Sequence, residues 1–279
     1  MWRTGNESKP GGMSFDPRFA RDTILPMAQA AYAVFRAPGA EPALPAGYRK
    51  TALLEADSDV LAALGDLPDS ASTLVEAVIA PGAVFGLLGN NPDPAVKTAF
   101  VAFRGTLTAA EWMDNLDIVT TPYRPVANFG QVHTGWMTLY ETIRHSLTSN
   151  LAAACVGCDQ LLVTGHSLGA ALAVLAAPDI LRNMPPNLEP RVTTFAGPRA
   201  GLHDFAAAFN MTIESCFRVV NQIDVVPHLP LPFPWLPYEH VGVAVAVDSG
   251  GPTDQVYRHS LAAYGKGLDN LAAAPSSAV

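Results

Sequence analysis

Gln160-Leu161-Leu162-Val163-Thr164-Gly165-His166-Ser167-Leu168-Gly169-Ala170-Ala171-Leu172-Ala173 decides how this chain is read. A short apolar run leads into Gly-His-Ser-Leu-Gly, and a run of small apolar residues from Ala170 to Ala177 follows. That order predicts a buried strand, a sharp turn and a helix, the setting in which a G-x-S-x-G sequence presents a nucleophilic serine. Glycine at 165 and 169 permits a strained turn and leaves space beside the serine. The hydroxyl of Ser167 would face the start of a helix, where free N–H groups and the helix dipole favour developing negative charge.

Outward from this stretch, strands and helices alternate. Asp16-Pro17 reads as an N-cap and first helical residue, opening a helical region to about Phe35 with a break near Pro26. Residues 37–47 form a Pro/Gly/Ala loop. Ala83 to Leu88 and Lys97 to Phe103 read as a strand pair joined by a turn-rich link. Then come helix 135–154, strand 160–164, helix 168–181, strand 192–195, helix 201–209, strand 216–220, a proline-rich loop, strand 241–247 and a helix from about His259 to Leu271. Such alternation specifies an α/β fold, a mostly parallel sheet with helices on both faces.

The 279 residues, 49% hydrophobic, suffice for one large core, and no compositional shift marks a second domain. Residues 1–14 are polar and glycine-rich and are expected to be a flexible segment ahead of a single domain over 15–279. They lack the apolar core of a secretory signal, so the default compartment is cytoplasmic, with secretion open if the chain is a mature form. Mean hydropathy is +0.19, yet the longest apolar run, Leu168 to Ala177, is too short to span a bilayer. A net charge of −8 argues against nucleic acid and favours neutral or apolar substrates. Three cysteines cannot form a disulfide framework. Cys155-Val156-Gly157-Cys158 follows a helix rather than opening one, so the dipole is at the wrong end for a reactive thiol pair, and a loop is the simpler reading. No metal and no cofactor is expected, and the oligomeric state is not readable.

A serine needs a base, and that base needs a group to fix its tautomer. Open parallel sheets place ligands at the carboxyl ends of strands. Asp224 and His259 occupy such positions, in the chain order Ser, Asp, His. A hydrogen-bonded chain from Ser167 through His259 to Asp224 is therefore expected. His240 precedes its strand and suits structural bonding, His228 shares the Asp224 loop, and His166 adjoins the serine and should project away from it. Asp204, Asp248 and Asp254 remain alternatives for the acid, each readable as a turn or cap residue. Backbone donors for an oxyanion are expected from Leu168, after the serine, and from Thr106, after the strand ending at Phe103.

Thr108-Ala109-Ala110-Glu111 is a capping box. Ala109, Trp112, Met113 and Leu116 then make one apolar stripe at helical spacing. Such a helix is either a lid that opens on an oily interface or a fixed element packed on the core. Downstream, the proline-rich Leu229 to Pro237 can neither pair inside a sheet nor form a helix. Its Leu229, Leu231, Phe233 and Trp235 are candidates for a pocket rim, against the alternative of a rigid surface connection.

Phe103-Arg104-Gly105-Thr106, Val132-His133-Thr134-Gly135-Trp136, Gly165 to Ala170, Phe195-Ala196-Gly197-Pro198-Arg199, Asn221 through Pro230, Tyr238 to Gly242 and His259-Ser260-Leu261 occur in the order of one family. Through them the chain resembles the class 3 lipases, the fungal-lipase-like branch of the α/β-hydrolase fold. Ala170 stands where a second glycine is frequent. The resemblance implies that Ser167, Asp224 and His259 form a triad, Thr106 and Leu168 an oxyanion hole, and Leu107 to Leu116 a lid. The implied activity is hydrolysis of acylglycerol esters, with a neutral ester or lipid as partner, at an oil–water interface in the lipase case. A feruloyl-type or short-chain esterase, an acyltransferase, or a non-catalytic lipid binder on the same scaffold are the alternatives.

Overall fold

The computed structural model describes residues 14–57, 83–106 and 118–274. The N-terminal segment 1–13 and the whole apolar stripe of the expected lid (Thr108, Ala109, Trp112, Met113 and Leu116) lie outside them.

Seven strands form the central sheet, in the order β1-β2-β3-β6-β7-β9-β11. They are β1 Arg49–Glu55, β2 Val84–Asn91, β3 Thr98–Phe103, β6 Gln160–His166, β7 Pro190–Phe195, β9 Ser215–Asn221 and β11 Val243–Val247. β1 to β3 pair antiparallel, and from β3 onward every pairing is parallel. A second, four-stranded sheet, β10-β8-β5-β4, is made of the short strands Tyr238–Glu239, Gly201–Leu202, Gln131–His133 and Thr120–Pro122.

Helices cover both faces, because β2 and β3 are buried along their entire length and offer no solvated side. One face carries α1 (Pro17–Phe19), a π-helical turn at Ala20–Ile24, α2 (Leu25–Arg36) and the C-terminal α7 (Leu261–Ala273). Met27, Ala28, Ala31 and Val34 of α2 pack there with Phe100, Leu162, Tyr264 and Leu268. The other face carries α3 (Thr134–Ala154) and α4 (Leu168–Asn183) in one core with Phe103, Val163 and Val192. α4 is buried from Leu168 to Ile180, and its many alanines let it lie close to the sheet. Its buried Asp179 is satisfied by the Tyr140 hydroxyl at 2.7 Å, Arg144 Nε at 2.6 Å and Asn183 Nδ2 at 2.7 Å, which fastens α3 to α4. α5 (His203–Thr212) packs on the small sheet, and α6 (Gln255–Arg258) is a single turn ahead of α7.

Two expectations change, and one strand, β1, lies where no element was expected; it is an edge strand with charged ends and partly exposed side chains. Gly201–Leu202 pairs as β8, so the helix expected from 201 begins at His203. The helix expected from about His259 begins at Leu261, capped by Ser260, and a separate turn of helix, α6, capped by Asp254, precedes it where loop was expected. His259 lies in the turn between those caps. Among the described residues no helix is long and apolar enough to cross a membrane.

Candidate active site

Ser167 sits between β6 and α4 at φ 59° and ψ −128°. A non-glycine residue held there costs roughly 1–3 kcal/mol, and such strain gathers at functional sites. Its N–H donates to Phe195 O at 3.0 Å, which binds the turn to the end of β7. A Cβ on Gly165 would lie 2.1 Å from Gly169 O, so the elbow closes only with glycine at that position. Leu168 opens α4, so its N–H has no acceptor within the helix.

Asp224 follows β9 and is fully buried. His259 Nδ1 lies 3.0 and 3.1 Å from its two carboxylate oxygens. Tyr264 of α7 donates its hydroxyl at 2.7 Å, and Val226 N–H donates at 3.1 Å. A carboxylate with three donors is paid for in burial and fixes the imidazole with Nδ1 protonated. Asn221 sutures the two loops, donating to Arg258 O at 2.8 Å and accepting from Ser249 N at 3.0 Å. The buried Arg258 reaches Pro252 O at 2.7 Å and Asp248 Oδ1 at 2.9 Å, so the turn bearing His259 is held from behind.

The expected chain from serine to carboxylate is half made. Asp224 and His259 are joined, but among the described residues Ser167 Oγ and His259 Nε2 are both buried without a hydrogen-bond partner. Thr106 Oγ1 is a third such atom. The loop that carries it leaves β3 and lies against the elbow: a Cβ on Gly105 would fall 2.9 Å from Ser167 Cβ and 2.7 Å from His166 O. Ser167, His259, Asp224, Leu168 and the Gly105-Thr106 loop are thus brought to one end of the sheet.

Other candidates have structural partners. His240 Nε2 donates to Pro227 O at 2.7 Å, and burial followed by the nearby arginines holds its pKa well below 6.5. Asp254 caps α6, Asp204 accepts from Phe205 N at 2.8 Å, and Asp248 pairs with Arg258. Leu229 and Phe233 are partly buried, while Leu231 and Trp235 are exposed, with Trp235 stacked on Phe233 at 5.4 Å between centroids. Cys155, Cys158 and Cys216 are free thiols. Sequence reasoning overlooked Tyr32, Asn221, Arg258 and Tyr264. Only Asn221 carried a signal, as the first residue of the segment containing Asp224.

A mostly parallel sheet with helices on both faces, broken at its middle strand by an elbow with serine at positive φ, is the α/β-hydrolase fold, and this chain has it. Residues 100–233 of this chain match the profile of lipase (class 3). It is 34% identical over 210 residues to phospholipase A1-II 6 of Oryza sativa subsp. japonica, an alignment covering 60% of this chain and 49% of that protein. The chain therefore spans about half the length of that relative. The structure of Rhizomucor miehei triacylglyceride lipase aligns with a TM-score of 0.52 and 28% identity, over 61% of this chain and 62% of that one. Nonglycosylated LIP2 lipase of Yarrowia lipolytica covers more, 88% and 84%, with a TM-score of 0.62; at 17% identity it speaks for the fold alone.

Proposed function

We propose that this chain is a serine carboxylic-ester hydrolase of the lipase type, cleaving acylglycerol esters through an acyl-enzyme at Ser167. The observation that carries this reading is the buried His259 imidazole, fastened at Nδ1 by Asp224 with Nε2 bare, in the site of a strained serine. In the reaction Ser167 Oγ attacks the ester carbonyl while His259 Nε2 takes its proton. Asp224 stabilises the resulting imidazolium. The N–H groups of Thr106 and Leu168 receive the oxyanion, and the leaving alcohol takes the proton from His259. Water, deprotonated by the same nitrogen, then releases the fatty acid. Leu229, Leu231, Phe233 and Trp235 border the acyl site in this reading.

Similarity to a rice phospholipase A1 supports a second substrate on the same machinery, a glycerophospholipid. The test is a fluorophosphonate label followed by a substrate panel. Wild-type protein should be labelled at Ser167 and hydrolyse long-chain glycerol esters, with an increase once the substrate forms an emulsion. Preference for diacylphospholipid over triacylglycerol would move the assignment to the second substrate, and absence of both labelling and ester turnover would end it.

A further inference from the structure

One chain of hydrogen bonds in this molecule runs through Gly105, Tyr32 and His166, none of which was given a chemical role above, and ends on the backbone of His259. Gly105 N–H lies 3.0 Å from the Tyr32 hydroxyl, which lies 2.8 Å from His166 Nδ1. His166 Nε2 in turn lies 2.7 Å from His259 O. A carbonyl only accepts, so His166 carries its proton on Nε2. Burial, and then the neighbouring His259, holds the His166 pKa well below 6.5, so Nδ1 is bare and accepts from Tyr32. Burial pushes the Tyr32 phenol up to about 12, which keeps it a donor. Its oxygen then accepts from Gly105, and every proton in the chain has one direction.

Gly105 is held at its other end as well. Arg104 Nη1 donates to Gly105 O at 2.9 Å while Nε donates to Val84 O at 2.7 Å. Its guanidinium lies over the rings of Phe35 and Phe85, at 3.9 and 4.6 Å from their centroids. The peptide after Gly105 is trans, so a carbonyl turned back toward Arg104 turns the Thr106 N–H the opposite way. The orientation of the proposed oxyanion donor is therefore set by what holds Gly105.

We propose that Tyr32 is a positioning residue which, through Gly105 on one side and His166 on the other, locks the Thr106 donor and the His259 base into one alignment. This rests on the hydrolase reading above. α2 supplies both Tyr32 and the Phe35 ring under Arg104 from the opposite face of the sheet to α3 and α4, so the site is tied across the sheet to this helix. The His166 ring is packed between Tyr32, Tyr264 and His259, at centroid distances of 5.8, 6.2 and 4.7 Å, and has little freedom to find other partners.

Tyr32→Phe keeps the ring and removes the hydroxyl. It should lower kcat by about 10- to 100-fold with KM within about twofold, since the oxyanion exists only in the transition state. His166→Gln and the double variant complete a cycle. If the two residues act as one link, the double variant is no slower than His166→Gln alone. A merely structural tyrosine would lower the melting temperature without this division between kcat and KM. Tyr32→Phe with kcat within twofold of wild type, or losses that multiply in the double variant, overturns the proposal. Wild-type protein that neither takes a fluorophosphonate nor turns over esters fails the hydrolase reading instead, a result visible before any variant is made.

Discussion

The two halves of the site are built to opposite standards. Around Asp224 the bonds are made: the imidazole, α7 and the Asp224 loop converge on one buried carboxylate, and Asn221 and Arg258 stiffen the surroundings. Around Ser167 three buried polar atoms, Ser167 Oγ, His259 Nε2 and Thr106 Oγ1, have no partner among the described residues. A buried group without a partner costs roughly 1–3 kcal/mol, so this half is held against its own preference by the half beside it. Such an arrangement suits a ligand that brings acceptors and donors of its own. The anchored half fixes the tautomer before substrate arrives, and the open half keeps its bonding capacity for the reacting atoms.

Removing the open half's nucleophile should have the largest effect. Ser167→Ala is expected to reduce ester turnover by about 10³-fold or more, as loss of a covalent nucleophile does. It also deletes an unsatisfied buried hydroxyl, so its melting temperature should equal or exceed that of wild type. Calorimetry and a nitrophenyl ester assay measure both. A marked loss of stability would mean that Ser167 Oγ has a partner in the folded protein.

Asp224→Asn attacks the anchored half and comes next. The amide can present its N–H₂ to Nδ1 and favour the wrong imidazole tautomer, and kcat should fall by about 10²- to 10⁴-fold. Stability should fall too, in contrast to Ser167→Ala, because a buried hub with three donors is disturbed. Parallel denaturant titrations of the two variants show whether the halves divide stability and chemistry as described. Tyr264→Phe is the milder version: one of three donors is lost, at about 1.5–3 kcal/mol for a bond to a charged group. A drop in kcat of about 3- to 30-fold follows if the remaining donors hold the carboxylate.

Much of this was legible in the chain. Gly165 to Gly169, flanked by one apolar run and one small-residue run, marked the elbow, since backbone strain demands particular residues at particular spacing. Asp224 and His259 were found by position after strands. The supporting residues were not, because Tyr32 and Tyr264 are ordinary helical aromatics until the fold carries them to the site from residues 135 and 40 positions away, as the Tyr32–Ser167 and Asp224–Tyr264 numbering makes plain. β1 escaped for the reason that edge strands do: pairing on one side leaves little hydrophobic pattern. The split at His259–Ser260 depended on two caps in tandem, whose side chains commit only once the chain has turned.

A buried imidazole and a half-buried one make the smallest and most general test. His166 links the two halves, and His240 braces the Asp224 loop through Pro227 O. Both are held well below the 6.5 of a free imidazole, chiefly by burial. In the unfolded chain each takes up a proton as pH falls through about 6.5, whereas the folded chain does not. Unfolding is then favoured by protons, so stability from this source is complete above pH 6.5 and is lost progressively below it. The slope approaches about 1.4 kcal/mol per pH unit for each histidine while the folded form remains unprotonated. His240→Gln keeps a donor for Pro227 O but cannot titrate, so between pH 6.5 and 5.5 it should lose stability at roughly half the wild-type slope. Denaturant midpoints at half-unit intervals read this directly. Equal slopes in the two proteins would mean that His240 takes up its proton in the folded chain as it does in the unfolded one.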